Sequence, residues 1–510
     1  MNATWSAPVL SCAEAKALEE RLFHGDEEHE WAAMQRAGAA VARAVLEDFQ
    51  ELGGFPVAGR VLVLAGKGHN GGDALLAARD ILAQHPAAVA AVWFAFGERS
   101  LRPLALRAWQ ELLRTAGGRA ARVSPKKDPL PRSVGCDLCI DGVFGFQFWP
   151  PIDEATAAVV QRINAHPGIR LRAAVDLPSG LGEKVGDPVM RADFTYATGI
   201  VKTPVLDAAH AAPVGRLRYL DLGFFCGEDR PAAARVLTPR VLEPLGGLRL
   251  PASDKRTFGH LFILGGSRSY PGAVLMAVRA ALRSGAGLVT AFVPASLAPA
   301  YAAAAPEAIW VAWPETPEGG LAAAGLPLLH GRLERATAVL LGPGLGAEAE
   351  TVALAAEIVN TSPVPLVLDA DALQPQVAWA GKTPRVLTPH AGEFARIATG
   401  DDHRPWLKAT GSVIVLKGRL TTIVDGNTPH LSPFGGPVLA RGGSGDLLAG
   451  LIGGLLAQAP ADPLLAACRG VVWHGLAADL LARHRGQVAV QVTQLLDYLP
   501  AVLRAACDAG

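Results

Sequence analysis

Cysteine is scarce in this chain. Six residues among 510 are too few for a disulfide scaffold and suit a reducing compartment. Cys136-Asp-Leu-Cys139 has CxxC spacing, but no second pair or histidine cluster stands near it to complete a zinc site. That segment is expected to be a buried strand. An excess of charge is missing too, since 47 Lys and Arg balance 47 Asp and Glu. With no basic run, the charge points to neither nucleic acid nor an anionic membrane as partner. Long apolar runs are also lacking. The longest, near residues 447–457, is closed by Gln458, Pro460 and Asp462, well short of a bilayer span. Val9-Leu-Ser-Cys12 faintly resembles a lipoprotein cleavage box, yet no Lys or Arg precedes it and its apolar stretch is short. A soluble cytoplasmic protein is expected.

What is present is alternation. The length suggests two to four domains. Strand-like runs at 60–65, 88–94, 137–141 and 172–176 alternate with helical patterns at 74–82 and 104–113. Such alternation implies right-handed crossovers and a parallel sheet covered on both faces. In such sheets ligands sit at the carboxyl ends of the strands. The glycine loop after Ala65, Asp141 and Asp176 all fall there. Residues 14–49 read as helical, with Gly38 inside, and would either pack on the sheet or form a subunit interface. Residues 227–253 lack a sustained period and mark a domain boundary. Beyond them a second α/β pattern begins. Strands near 260–264, 338–341, 365–369, 385–388 and 413–416 each run into a loop bearing Gly, Asp, His or Lys.

Arg441-Gly-Gly-Ser-Gly-Asp446 opens an apolar helix. A glycine turn at a helix start presents backbone N–H groups at the positive end of the dipole, a corner that binds phosphate. A carboxylate beside an anion site is repelled by the ligand, so Asp446 is read as a base or a magnesium-side residue. The structural alternative is an N-capping Asp on a buried helix.

Gly265-Gly-Ser267, Gly272-Ala273, Ser284-Gly-Ala-Gly-Leu-Val-Thr290, Gly342-Pro-Gly-Leu-Gly346, Leu368-Asp-Ala-Asp-Ala-Leu373, Leu387-Thr-Pro-His-Ala-Gly-Glu393, Leu416-Lys-Gly418 and Gly443-Ser-Gly-Asp446 follow one another in this order. Over about residues 250–500 the chain thereby resembles the NAD(P)H-hydrate dehydratases, which are ribokinase-like. Gly66-Lys-Gly-His-Asn-Gly-Gly-Asp73, Ile140-Asp-Gly-Val-Phe-Gly145, Val175-Asp-Leu-Pro-Ser-Gly-Leu181 and the segment from Ala192-Asp-Phe-Thr195 to Lys202 resemble the NAD(P)H-hydrate epimerase domain over about residues 8–225. The resemblance implies an α/β protein of two domains. Residues 1–230 would form a Rossmann-like three-layer epimerase sandwich, 231–250 a linker, and 251–510 the ribokinase-like dehydratase. It implies repair of hydrated NADH and NADPH. One half interconverts the epimers; the other phosphorylates the hydroxyl of the S form and eliminates phosphate. ADP serves as co-substrate in the bacterial-type enzymes and ATP in relatives.

By the same matching, Ala273, Gly344, His390 and Asp446 would contact the hydrate, with Asp446 as base. Lys417, Gly418, Arg419, Leu420, Thr421 and Gly445 would hold the nucleotide, and Gly443, Ser444 and Gly445 the transferring phosphoryl group. Glu393 would organise Mg2+ through water. In the epimerase half, His69, Asn70, Gly71, Gly72 and Asp73 would cradle the hydrate's pyrophosphate opposite Gly145, Phe146, Gln147, Phe148, Trp149, Pro150 and Pro151. Asp176 would face the nicotinamide as acid or base. Asn70, Asp141 and Ser179 would hold K+. Folds of this type often assemble, so a homo-oligomer is expected. Two loops depart from the family pattern. His69 and Ala74 replace Asn and Gly, and Phe146-Gln-Phe-Trp149 stands where Thr-Gly-Leu is usual. Aromatics there would either narrow the site or stack on a ring. Two rivals stand beside this reading: a small-molecule kinase of the same fold, and a first half that binds nucleotide without turnover.

Overall fold

Arg60–Ala65 alternates between two cores, as an uninterrupted Val/Leu run does in a parallel sheet. Val61, Val63 and Ala65 join the cluster under helices Glu27–Phe49, His69–Gln84 and Pro103–Ala116. Leu62 and Leu64 join the opposite cluster, with Val159, Val160 and Ile163 of helix Glu154–Asn164. The result is a three-layer sandwich. Its strands run in the order Ala120–Arg122, Val89–Phe94, Arg60–Ala65, Cys136–Gly142, Ile169–Val175, Phe194–Thr198 and Arg216–Leu220, all parallel. The computed structural model describes residues 5–123, 130, 134–225, 230–398, 400 and 402–508. Residues 227–229 of the expected boundary stretch lie outside the described residues.

The chain forms two compact units, residues 1–236 with 482–486, and residues 237–481 with 487–510. The stretch 231–250 carries a short strand, Arg235–Leu237, and a 3-10 helix, Pro239–Leu245. In the first unit the helical stretch expected over 14–49 is two helices, Cys12–Phe23 and Glu27–Phe49. Ser11 and Glu14 cap the first reciprocally, each side chain accepting the other's backbone N–H. His24, at φ 49°, ends it in the left-handed region, and Asp26 caps the second. The second helix packs on His69–Gln84 so closely that a Cβ at Gly38 would lie 2.5 Å from Leu76 Cβ. Strand Ser6–Leu10 pairs in parallel with Val201–Lys202, with Leu10 opposite Lys202.

The second unit is also α/β. Ile309–Trp313, Leu288–Pro294, His260–Leu264, Ala338–Leu341, Leu366–Leu368, Arg385–Leu387 and Val413–Leu416 lie side by side in parallel. Thr421–Val424 and His430–Ser432 continue the sheet antiparallel. Helix Ser444–Gln458 packs tightly on Pro271–Arg283, where a Cβ at Gly450 would meet Ala277 O at 2.2 Å. Helix Pro463–Arg485 is long and apolar enough to cross a membrane, but 72% of its apolar window is buried within the protein. That burial is what a core helix shows.

Candidate active sites

In the first unit the strand order reverses between Arg60–Ala65 and Cys136–Gly142. The connections leave these two carboxyl ends in opposite directions, which opens a crevice. A cavity of about 400 Å³ lies there. Its wall includes His69, Asn70, Gly71 and Asp73 from the helix start, Gly145, Phe146, Gln147, Phe148 and Trp149 from the facing loop, and Asp176. Gly72, Pro150 and Pro151 are not part of that wall. Gly72 faces helix Glu27–Phe49 instead, where a Cβ would come 2.2 Å from Met34 Cε. Ala74 is turned away as well: it is fully buried against Gly142. Its departure from glycine therefore leaves the cavity unchanged. The aromatic loop does line the cavity. Phe146 lies under the Lys202 ammonium, 5.0 Å from ring centre to Nζ, and exposed Trp149 lies under Lys184 at 4.2 Å.

Asp176 follows strand Ile169–Val175 with φ 64°, a conformation a non-glycine residue adopts only where its surroundings hold it. Its N–H donates to Tyr196 O at 2.8 Å, and its carboxylate is paired with Lys202 Nζ. Both side chains are buried, 6% and 1% exposed. Three more acids share this environment. Burial first, then Asp176 and Glu19, pushes the Asp73 carboxyl well up, and its Oδ1 has no hydrogen-bond partner among the described residues. Burial chiefly, aided by Asp176 and Glu30 and opposed by Lys202, pushes Glu19 up to about 7. Glu30 Oε2 lies 3.4 Å from His69 Nε2. Burial, with Arg102 nearby, holds that imidazole below its ordinary value despite Glu30. Glu19, Glu30 and Lys202 were not among the residues expected here.

The expected cation ligands are linked in a chain through Phe144. Asn70 Nδ2 donates to Phe144 O at 2.8 Å, and Phe144 N donates to Ser179 Oγ at 2.9 Å. Ser179 Oγ and N donate to Asp141 Oδ1 and Oδ2 at 2.6 and 2.7 Å. Burial nevertheless pushes the Asp141 carboxyl up to about 6, against these hydrogen bonds and that from Val143 N. A deeply buried carboxylate among oxygen donors suits a hard cation.

In the second unit, Gly443 at φ 90° starts helix Ser444–Gln458. The Ser444 N–H closes a turn on Arg441 O at 3.3 Å, so it is not turned wholly outward. A Cβ at Gly445 would lie 3.3 Å from Lys417 Nζ, which places the ammonium over the helix start. Lys417 Nζ is 3.1 Å from Asp369 Oδ1 and 3.6 Å from Glu393 Oε2. Burial depresses Lys417, but Asp369, Glu393 and Asp446 outweigh it and hold the ammonium above its usual value. Asp446 is pushed up to about 7, chiefly by burial and then by Asp369 and Asp371, against Lys417. Its carboxyl is therefore poised for proton transfer near neutral pH. Asp369, which also accepts from Thr388 Oγ1 at 2.6 Å, is a member of this site that the sequence reading left without a role.

His390 caps helix Ala391–Ile397. Its Nδ1 accepts from Gly392 N and Glu393 N at 3.0 and 3.2 Å, while Glu393 Oε2 accepts from His390 N at 2.8 Å. Accepting at Nδ1 fixes the neutral ring with its proton on Nε2, a donor, and the side chain is 60% exposed. Gly344, at φ 65°, approaches Ala273 so closely that a Cβ would lie 3.0 Å from the alanine's own. Gly418, Arg419 and Leu420 form the bend after Lys417, and Thr421 begins the next strand.

The family described as NAD(P)H-hydrate dehydratase matches residues 261–501, and the family described as YjeF-related protein N-terminus matches 31–204. The bifunctional NAD(P)H-hydrate repair enzyme Nnr of Gloeobacter violaceus is 36% identical, over 98% of this chain and 99% of that protein. The chain belongs to the family of bifunctional NAD(P)H-hydrate repair enzymes. Its namesake in Moorella thermoacetica is 34% identical, over 92% of each chain. A crystal structure of the ADP/ATP-dependent NAD(P)H-hydrate dehydratase from Bacillus subtilis, co-crystallised with ATP and Mg2+, is 30% identical, covering 53% of this chain and 97% of that one with a TM-score of 0.44.

One prediction for this repair enzyme concerns the helix start alone. A Cβ at Gly443 would lie 2.6 Å from Met276 Sδ, and φ 90° already disfavours an L side chain. Gly443→Ala is expected to cost about 1–3 kcal/mol from backbone strain, read as a lower midpoint in denaturant. An unchanged midpoint would show that the left-handed turn is not needed.

Proposed function

We propose that the chain regenerates NADH and NADPH from their hydrates, its first unit interconverting the R and S epimers and its second dehydrating the S form. The observation that carries the reading is Asp446, at a helix start that also holds Lys417, where burial and then the nearby carboxylates push its carboxyl up to about 7. Asp446 takes the proton from the substrate hydroxyl as that oxygen attacks the terminal phosphorus of the nucleotide. The phosphorus–oxygen bond breaks and AMP leaves if ADP is the donor. Phosphate then departs from carbon with the bonding pair, the neighbouring carbon loses a proton, and the ring double bond is restored. Phosphate leaves far more readily than hydroxide, which is what nucleotide cleavage achieves.

The remaining roles belong to the same proposal. The N–H groups of Gly443, Ser444 and Gly445 stabilise the transferring group. Residues 417–421 with Gly445 hold the nucleotide, and His390, Ala273 and Gly344 hold the hydrate. Mg2+ on the phosphates would offset their charge, and Glu393, whose oxygens face His390 and Lys417, would meet it through water. Asn70, Asp141 and Ser179 would hold K+, which would balance the buried Asp141 and order the loop at Phe144. The chain would work as a cytoplasmic homo-oligomer. The described thiols Cys12, Cys136, Cys139 and Cys468, unpaired and buried, suit a reducing setting.

The test is recovery of the reduced-nicotinamide absorbance from mixed-epimer NADHX with the full chain, Mg2+ and ADP, and ATP in parallel. Complete recovery is expected. A stall partway would confine activity to the second unit. A stable phosphorylated product without recovery would mean a kinase.

A further inference from the structure

An enamine takes a proton at its β-carbon and water at the carbon beside nitrogen, so the hydrate's hydroxyl stands on the carbon next to the ring nitrogen. Epimerisation there proceeds, in the route considered, by loss of that hydroxyl and return of water on the other face. As the carbon–oxygen bond breaks, a proton is needed on the departing oxygen, and the ring-nitrogen lone pair forms a C=N bond. As water adds, that electron pair returns to nitrogen and the new oxygen sheds a proton. One proton is given and one is taken, with no redox change. The cavity must therefore offer a protonated acid and an ionised base together.

Asp176 has its charge matched by Lys202 and is the base. It cannot be the acid in the same step. We propose that Glu19, on helix Cys12–Phe23, is the second acid–base residue of this cavity and gives the proton to the departing hydroxyl. The proposal rests on the epimerase reading above. Three observations carry it. Glu19 and Asp176 share one cavity wall with Lys202. The Lys202 ammonium is already engaged by Asp176, so it is not free to match the charge of a second ionised carboxyl in full. Glu19 is only partly buried, whereas Asp73 is buried with Oδ1 unpartnered and Glu30 lies against His69. The groups facing Glu19 are Lys202, Asp176, Glu30 and Asp73. His69 stands behind Glu30, and the Cys12 thiol is close enough to feel Asp176 and Lys202. Its titration near 7 keeps a large protonated fraction at neutral pH.

The test uses the full chain with the R epimer of NADHX, Mg2+ and nucleotide, where NADH appears only after epimerisation. The S epimer serves as control. E19Q is expected to lower kcat from the R epimer about a hundredfold, with KM little changed and S-epimer dehydration intact. The wild-type R-epimer rate should fall on the alkaline side of about 7, as Glu19 loses its proton. That limb should vanish in E19Q, and E19D should restore part of the rate. Should E19Q also lose S-epimer dehydration, E19D decides by whether the R rate and its alkaline limb return. An E19Q rate within threefold of wild type, or an unchanged pH limb, overturns the proposal. A wild type that converts S but not R faster than spontaneous exchange overturns the epimerase reading itself, and this with it.

Discussion

Asp446→Asn is expected to slow nucleotide-dependent dehydration of the S epimer by about 10²–10⁴-fold, the usual contribution of a positioned general base. The substitution keeps shape and a hydrogen-bonding side chain but cannot accept the hydroxyl proton. Its effect on folding is expected to be small. A charge in the first turn of a helix contributes about 0.3–1 kcal/mol, and here that gain is opposed by Asp369 and Asp371. The pH dependence separates the roles. A base works when ionised, and the Asp446 carboxyl is pushed up to about 7. The wild-type rate should rise with pH through about 7 and level above it, while the Asn variant should lack that rise. Thermal stabilisation by nucleotide should survive, because Lys417 keeps Asp369 and Glu393 as partners. A variant within threefold of wild type would leave Asp446 a helix-start residue and no base.

Much of this was legible in the sequence, and what was not has physical reasons. Long Val/Leu runs such as Arg60–Ala65 and Ala338–Leu341 announce strands buried on both faces. Short strands such as Ala120–Arg122 and His430–Ser432 lack such a run, and only their neighbours make them strands. The glycine run at 71–72 predicted a cradle, but a run cannot say which glycine faces outward. Gly71 lines the cavity and Gly72 admits Met34. The break at 24–26 depends on a left-handed His24 and the Asp26 cap, which periodicity over 14–49 does not register. Glu19 and Glu30 were missed for that reason: their place in the wall is set by where two helices dock, not by any motif. Asp369 was quoted within a motif, yet only the packing of three strands brings it to Lys417.

Lys202 makes the same point and carries the other large expected effect. Nothing local in the sequence pairs it with Asp176. Parallel pairing with Ser6–Leu10 holds Lys202 in a buried strand, and its ammonium then meets the carboxylate that ends Ile169–Val175. Removing one partner of a buried pair strands the other's charge, a loss of about 3–5 kcal/mol. Lys202→Met is therefore expected to destabilise by that order, measured as unfolding of the full chain in denaturant. Adding Asp176→Asn removes the stranded charge and should recover much of the loss, which a merely additive second substitution would not do. Epimerisation should stay absent in that double variant, although its fold is regained. Lys202 also opposes the upward push on both Glu19 and Asp73, so its loss would lock protons on the very groups that must exchange them. Recovery of activity together with stability would mean that the pair only holds the loop in place.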